Sequence, residues 1–170
     1  MEVKFAKKKA FTVIGKLRSS FEGPSFIDNA WNEFNRGLNE VLKFAKKDED
    51  GKLVGVWGAM SNLDQNFGIW ENNYSEGLYL ASIEVRDEAI APLHWTRWRI
   101  PEFNYAYVKV ENNYSEVFKY VLGEFLPKNK LKLAGAVQEF YNPNEHMQLY
   151  LFFPVMWFRL FCWKSKKNLL

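Results

Sequence analysis

The sequence predicts an α+β fold: a tandem duplication of a strand–helix–strand–strand unit, related by a pseudo-two-fold, with antiparallel sheets, helices on one face and a central groove. Two observations carry this. The alternation of short β-branched or apolar runs with one amphipathic helix, then two more strands, occurs twice, over about residues 10–86 and 95–155. At 170 residues, with 48% hydrophobic and 25% charged side chains, the chain is of a size and composition to form one domain around its own core. Each half must bury the apolar face of its sheet under its helix, and the surface between two such halves is where a ligand cleft forms.

The elements follow in order. Residues 10–21, rich in β-branched and apolar side chains, predict a strand, which Gly23-Pro24-Ser25 breaks. Ser25 with Asp28 three residues on reads as a helix start, and apolar residues at Phe26, Ala30, Phe34, Leu38 and Leu42 carry an amphipathic helix to about Lys46. Trp31 and Phe34, at helical spacing, are assigned to the core. Asp48 to Lys52 is a turn, with its glycine too early and no closing glutamate for a calcium loop. Strands follow at 53–60 and 78–85, parted by a polar loop. The second unit opens with a strand at 95–110 interrupted at Pro101. A helix at 115–126 ends at Pro127, and two strands follow at 134–141 and 148–155 around the turn Asn142-Pro143-Asn144. The hexapeptide Glu-Asn-Asn-Tyr-Ser-Glu occurs at 71–76 and 111–116, in contexts that do not superimpose, and is read as a coincidence.

Charge and composition exclude several function classes. The formal net charge of +3 resides at the two ends. Without residues 1–9 and 164–170 the chain has 16 basic against 19 acidic residues, no basic face for a duplex, and no direct DNA binding is expected. Cys162 is the only cysteine, and His94 and His146 belong to no metal-ligand spacing, so neither a disulfide nor a metal or other cofactor is expected. No GxSxG elbow and no phosphate-cradling glycine loop occurs. The N-terminus shows lysines but no apolar signal segment, which points to a cytoplasmic protein. One figure stands out. Seven Trp, eight Tyr and fifteen Phe make up 18% of the chain, more ring surface than one core of this size needs, which suggests that some rings line a cavity.

Three runs resemble the motifs of GyrI-like effector-binding domains. Ile100-Pro101-Glu-Phe-Asn-Tyr105-Ala106-Tyr107 is similar to that family's "IPxGxYAxF" signature. Gly135-Ala-Val-Gln-Glu139-Phe-Tyr141, followed by Leu149 to Val155, resembles its "EhY…lyiPV" ending, and Leu78 to Val85 its central strand. The resemblance covers about residues 8–155. It implies two strand–helix–strand–strand halves around a ligand groove, without the DNA-binding domain that precedes this domain in drug-sensing regulators. It therefore points to the family's stand-alone branch, some of whose members bind toxic small molecules. Others hydrolyse the cyclopropane of DNA-alkylating natural products, and one antagonises DNA gyrase by protein contact.

The same resemblance selects the site. Glu139 aligns with the family's groove carboxylate, and strand alternation puts Val137, Glu139 and Tyr141 on one face. Ionised among aromatic rings, such a carboxylate attracts a hydrophobic or cationic aromatic small molecule; with a raised pKa it can act as general acid or base. Tyr79, Tyr105, Tyr107, Tyr141, Trp57 and, more weakly, Trp98 are the candidate ring walls. Tyr105 joins Glu139 as a catalytic candidate if the protein is an enzyme. Three readings stay open: a binder of such compounds, a cyclopropane hydrolase in the same groove, and a gyrase-inhibitor-like antagonist. After residue 155 the family pattern stops, and an aromatic and basic extension, 156–170, continues. It is read as an extra strand or short helix covering the sheet or a homodimer partner rather than as a membrane anchor.

Overall fold

A computed structural model describes residues 1–157. Nine strands form one antiparallel sheet: β1 (Lys4–Lys8), β2 (Phe11–Ser19), β3 (Val56–Ser61), β4 (Leu78–Val85), β5 (Thr96–Ile100), β6 (Phe103–Lys109), β7 (Leu131–Leu133), β8 (Gln138–Asn142) and β9 (Gln148–Trp157). Two helices accompany them, α1 (Phe26–Val41) and α2 (Tyr114–Tyr120). The second runs on through a π-helical turn, Val121–Phe125, into a last turn at Leu126–Lys128.

The strand order β1-β6-β9-β8-β3-β4-β2-β5, with β7 added to β9, shows the duplication directly. The seam is the β3–β8 ladder, in which Val56 faces Tyr141, Trp57 faces Phe140 and Gly58 faces Glu139. Outward from it β4 and β2 follow on one side, β9 and β6 on the other, so the two halves are images of each other about the seam. The register then decides which side chains share a face, because paired residues point the same way. Gly58 pairs with Ala81 and Glu139, and Glu139 with Leu151. One face therefore carries Ile14, Tyr79, Ala81 and Ile83 under α1, and Ala106, Val108, Leu151 and Phe153 under α2. The apolar stripe of α1 (Ala30, Phe34, Val41) and that of α2 and the turn after it (Val117, Val121) fill these two cores. The opposite face holds a third cluster built on Phe11, Val13, Trp57, Leu80, Trp98 and Ile100.

Several local readings change. The lysine-rich start, before the first expected strand, forms an edge strand, Lys4–Lys8, paired with β6. The run expected as one strand across Pro101 is two strands that part to opposite ends of the sheet, β5 beside β2 and β6 between β1 and β9. Proline, which lacks a ladder donor, is where they separate. Ser25 precedes α1 but makes no capping hydrogen bond. A capping box forms instead at Ser19 and Glu22, in the 3-10 turn before it. The second helix ends at Lys128, one residue beyond Pro127, close to the expected end. Met156 and Trp157 lengthen β9. The rest of the extension, 158–170, lies outside the described residues, and with it the expected cover for the sheet or a dimer partner. Among the described residues no helix is long and apolar enough to cross a membrane, and none of the His, Cys, Asp and Glu side chains form a metal-binding group.

On the face away from the helices, Glu84 is 1% exposed yet fully compensated. Lys8 Nζ lies 3.1 Å from it and Lys46 Nζ 3.6 Å, and Trp57 Nε1 donates to it at 3.3 Å. Lys8 also stands over the Phe11 ring at 4.2 Å. Removing one partner of a buried ion pair leaves a stranded charge, so Lys8→Met should cost about 1–3 kcal/mol. Urea unfolding checks this, and the cost should largely vanish when Glu84→Gln is added.

Candidate functional site

The helix face has a second buried carboxylate, and its situation is the reverse. Glu139, 6% exposed at the seam, receives hydrogen bonds from hydroxyls and has no ion-pair partner among the described residues. Tyr79 donates to Glu139 Oε2 at 2.5 Å and Tyr141 donates to the same oxygen at 3.0 Å. Trp31 Nε1, from α1, donates to the Tyr79 hydroxyl at 2.8 Å, and its ring meets that of Tyr141 edge-on at 5.0 Å. The Tyr114 hydroxyl, from the first turn of α2, also helps to stabilise the ionised carboxylate by hydrogen bonding.

Each position follows from local structure. Glu139 and Tyr141 alternate on β8, and Tyr79 belongs to β4, one strand beyond β3. The strand between them presents Gly58 at this level, so the carboxylate and the Tyr79 hydroxyl meet directly over its backbone. Asn113 caps α2 by accepting the Glu116 N–H, which sets Tyr114 at the helix start.

Burial dominates the electrostatics. It pushes the Glu139 pKa up, against the lowering effect of the tyrosine hydrogen bonds. Tyr79, buried and facing that carboxylate, has its own pKa raised well above the ordinary value, as have Tyr114 and Tyr141. The three phenols therefore stay protonated and act as donors.

Two apolar pockets flank this cluster on the helix face. One, of about 170 Å³, is lined by Ile27, Met60, Trp70, Tyr114, Phe118 and Val137. The other, of about 450 Å³, is lined by Trp31, Phe34, Leu38, Val56, Ile83 and Tyr141. Tyr114 walls the first and Trp31 with Tyr141 the second, so Glu139 is closed off from each by an aromatic ring. The repeated hexapeptide acquires a spatial meaning here. Its two copies fold differently, a left-handed turn at Asn72 and Asn73 against a helix start at Asn113, yet both tyrosines reach Phe118. Tyr74 meets that ring edge-on at 5.6 Å and Tyr114 stacks on it at 6.1 Å, at the mouth of the smaller pocket.

Of the residues expected from the sequence, the structure brings together Glu139, Tyr79 and Tyr141. It places Trp57, Trp98, Tyr105 and Tyr107 on the other face of the sheet. Trp57 faces Phe140 across the seam, so it shares that residue's side, and it bonds Glu84. Trp98 is buried beside Phe67 at 5.6 Å. Tyr105, 1% exposed with its hydroxyl buried and unbonded, packs on Phe103 and Phe152. Tyr107 stacks on Phe152 at 5.0 Å. Trp31, assigned to the core by its helical spacing, and Tyr114 are the two site residues that sequence reasoning missed. Trp31 carried a signal: an indole N–H on a buried stripe needs an acceptor, and a plain core offers none.

No protein-family model matches the sequence, and no curated protein matches it. Solved structures do. SAV2435, determined bound to tetraphenylphosphonium, aligns over 92% of this chain and 94% of its own with a TM-score of 0.63 and 15% identity. An integron cassette protein of Vibrio cholerae aligns over 91% and 95%, with a TM-score of 0.56 and 16% identity. The C-terminal domain of EcmrR aligns over 92% and 98%, with a TM-score of 0.58 and 11% identity. In the EcmrR–DNA complex the match takes up 57% of that longer chain. At these identities the likeness concerns architecture, and it agrees with the sequence motifs: the chain has the GyrI-like effector-binding fold.

Proposed function

We propose that the protein captures hydrophobic, cationic aromatic small molecules between α1 and α2, with Glu139 as the counter-charge and Tyr79, Tyr141, Tyr114 and Trp31 as its ring walls. The observation that carries this is the contrast between the two buried carboxylates. Glu84 has its cations within the chain; Glu139 has hydroxyl donors, aromatic faces and adjoining apolar space, and lacks a cation among the described residues. Ring faces and a desolvated carboxylate both attract a positive charge spread over an apolar body. The larger pocket is within the size range of small-molecule sites, about 300–1,000 Å³. That SAV2435 was solved with tetraphenylphosphonium supports the choice of ligand class.

The test is titration of the protein with tetraphenylphosphonium, followed by tryptophan fluorescence, beside the uncharged triphenylphosphine oxide. A protonated Glu139 offers no counter-charge, so below its raised pKa each cation bound releases a proton. Affinity for the cation should rise by up to about tenfold per pH unit from the acid side and level off above that pKa. The neutral compound should bind more weakly and without that slope. Equal affinity for the two at every pH would remove Glu139 from the account.

A second reading, hydrolysis of an electrophilic strained ring in the same groove, is favoured by the raised pKa of Glu139. It allows the carboxyl group to deliver a proton or accept one from water, with the Tyr79 phenol as a fixed donor nearby. Conversion of a cyclopropane-bearing alkylator to its hydrated product, rather than mere binding, would favour it.

A further inference from the structure

The seam between the half-sheets stops at the carboxylate, and a side chain occupies the break beyond it. The β3–β8 ladder ends at the Gly58–Glu139 pair; a continued ladder would set Ala59 opposite Gln138 and Met60 opposite Val137. Instead Gln138, 0% exposed, inserts its own amide between the strands. Its Oε1 accepts the Met60 N–H at 2.7 Å, and its Nε2 donates to the Met60 carbonyl at 3.0 Å and to the Ala136 carbonyl at 2.9 Å. A primary amide offers the same donor and acceptor as a peptide group, so Met60 keeps the bonds a buried strand requires while the backbones stand a side chain apart. Ala136, on the far side of the break, is tied to the Phe67 carbonyl rather than to β3. Met60 and Val137, the two residues that the break separates, line the smaller pocket beside Glu139.

We infer that Gln138 is a positioning and specificity-determining residue of the groove: its amide holds the two half-sheets apart next to Glu139 and so sets how bulky a cation the groove admits. This rests on the reading of the groove as a cation site. Other side chains do not reproduce the arrangement. Asn is a methylene short of both strands, ionised Glu has no proton for the two carbonyls, and Met or Leu bonds neither. Val at this position favours closure of the ladder, which would draw Met60 and Val137 together and narrow the pocket.

The experiment compares a bulky and a slim cation, tetraphenylphosphonium and benzyltrimethylammonium, on wild type and Gln138→Val. The variant should lose affinity for the bulky cation by roughly tenfold or more while keeping that for the slim one within a few-fold. Parallel losses for both cations, or no loss for either, overturn the inference. If wild type binds neither, the cation reading of the groove falls, and this inference with it. Gln138→Met, similar in shape but without the amide, gives a second measurement that does not depend on the Val variant folding. The Met60 amide hydrogen should exchange slowly in wild type and much faster in Gln138→Met at matched global stability. Equal protection in the two would show that the side-chain amide does not take the place of the ladder.

Discussion

Glu139→Gln should lower the affinity for tetraphenylphosphonium by about 30- to 100-fold, or about 2–3 kcal/mol, the scale of one desolvated charge-assisted contact. The pH dependence of binding should disappear with it. The variant should also stay folded, which distinguishes loss of the counter-charge from loss of structure. Burial raises the Glu139 pKa in the folded chain above its unfolded value. Its contribution to stability is therefore fully present below the unfolded pKa and is lost as pH rises through the folded one. Above the unfolded pKa the wild type thus bears a cost for burying this carboxyl group, whether as charge or as uptake of a proton, and the neutral glutamine does not. The urea midpoint of Glu139→Gln should equal or exceed that of wild type at neutral pH, the gap closing on acidification. A site that weakens its own fold in this way is what a carboxylate reserved for a ligand would show.

Gly58→Ala should strongly destabilise the sheet at its seam. A Cβ at this position would stand 2.6 Å from Glu139 Oε2 and overlap the Tyr79 hydroxyl. It meets the polar contact on which the site depends, so the seam must spread or the Tyr79–Glu139 hydrogen bond must break. Overpacking together with a stranded buried acceptor should cost about 2–4 kcal/mol in urea unfolding. Removing the hydroxyl relieves the tightest of these contacts. Tyr79→Phe in the Gly58→Ala background should therefore cost less than the two single changes added together. Strict additivity would place the strain elsewhere.

The sequence made the two helices, the duplicated order and the strands other than β1, β7 and the parting of β5 from β6 legible, because periods of two and 3.6 residues survive in the composition of those segments. It also made Glu139 and Tyr141 legible as neighbours, since alternation along one strand is certain. Between strands alternation is known only up to its phase. Trp57, Tyr105 and Tyr107 have the right residue type on the right strands, but register turns them to the face of Phe140 and Phe152. A shift of one residue would have reversed this. Trp31 was hidden for a related reason: helical spacing says that a ring faces the sheet but not whether it meets apolar packing or a Tyr79 hydroxyl. The break at Gln138 was not legible at all, because a buried glutamine in a strand run looks like an ordinary rung until the facing strand is in place.

The most direct measurement is a crystal structure of the protein with tetraphenylphosphonium. It should place the cation on the helix face, against Glu139, with Trp31 or Tyr114 swung aside to admit it and with Lys8 still paired to Glu84. A cation on the opposite face, against Trp57 and Phe140 or the Tyr105 and Tyr107 strand, would contradict the account and restore the rings that register had turned away.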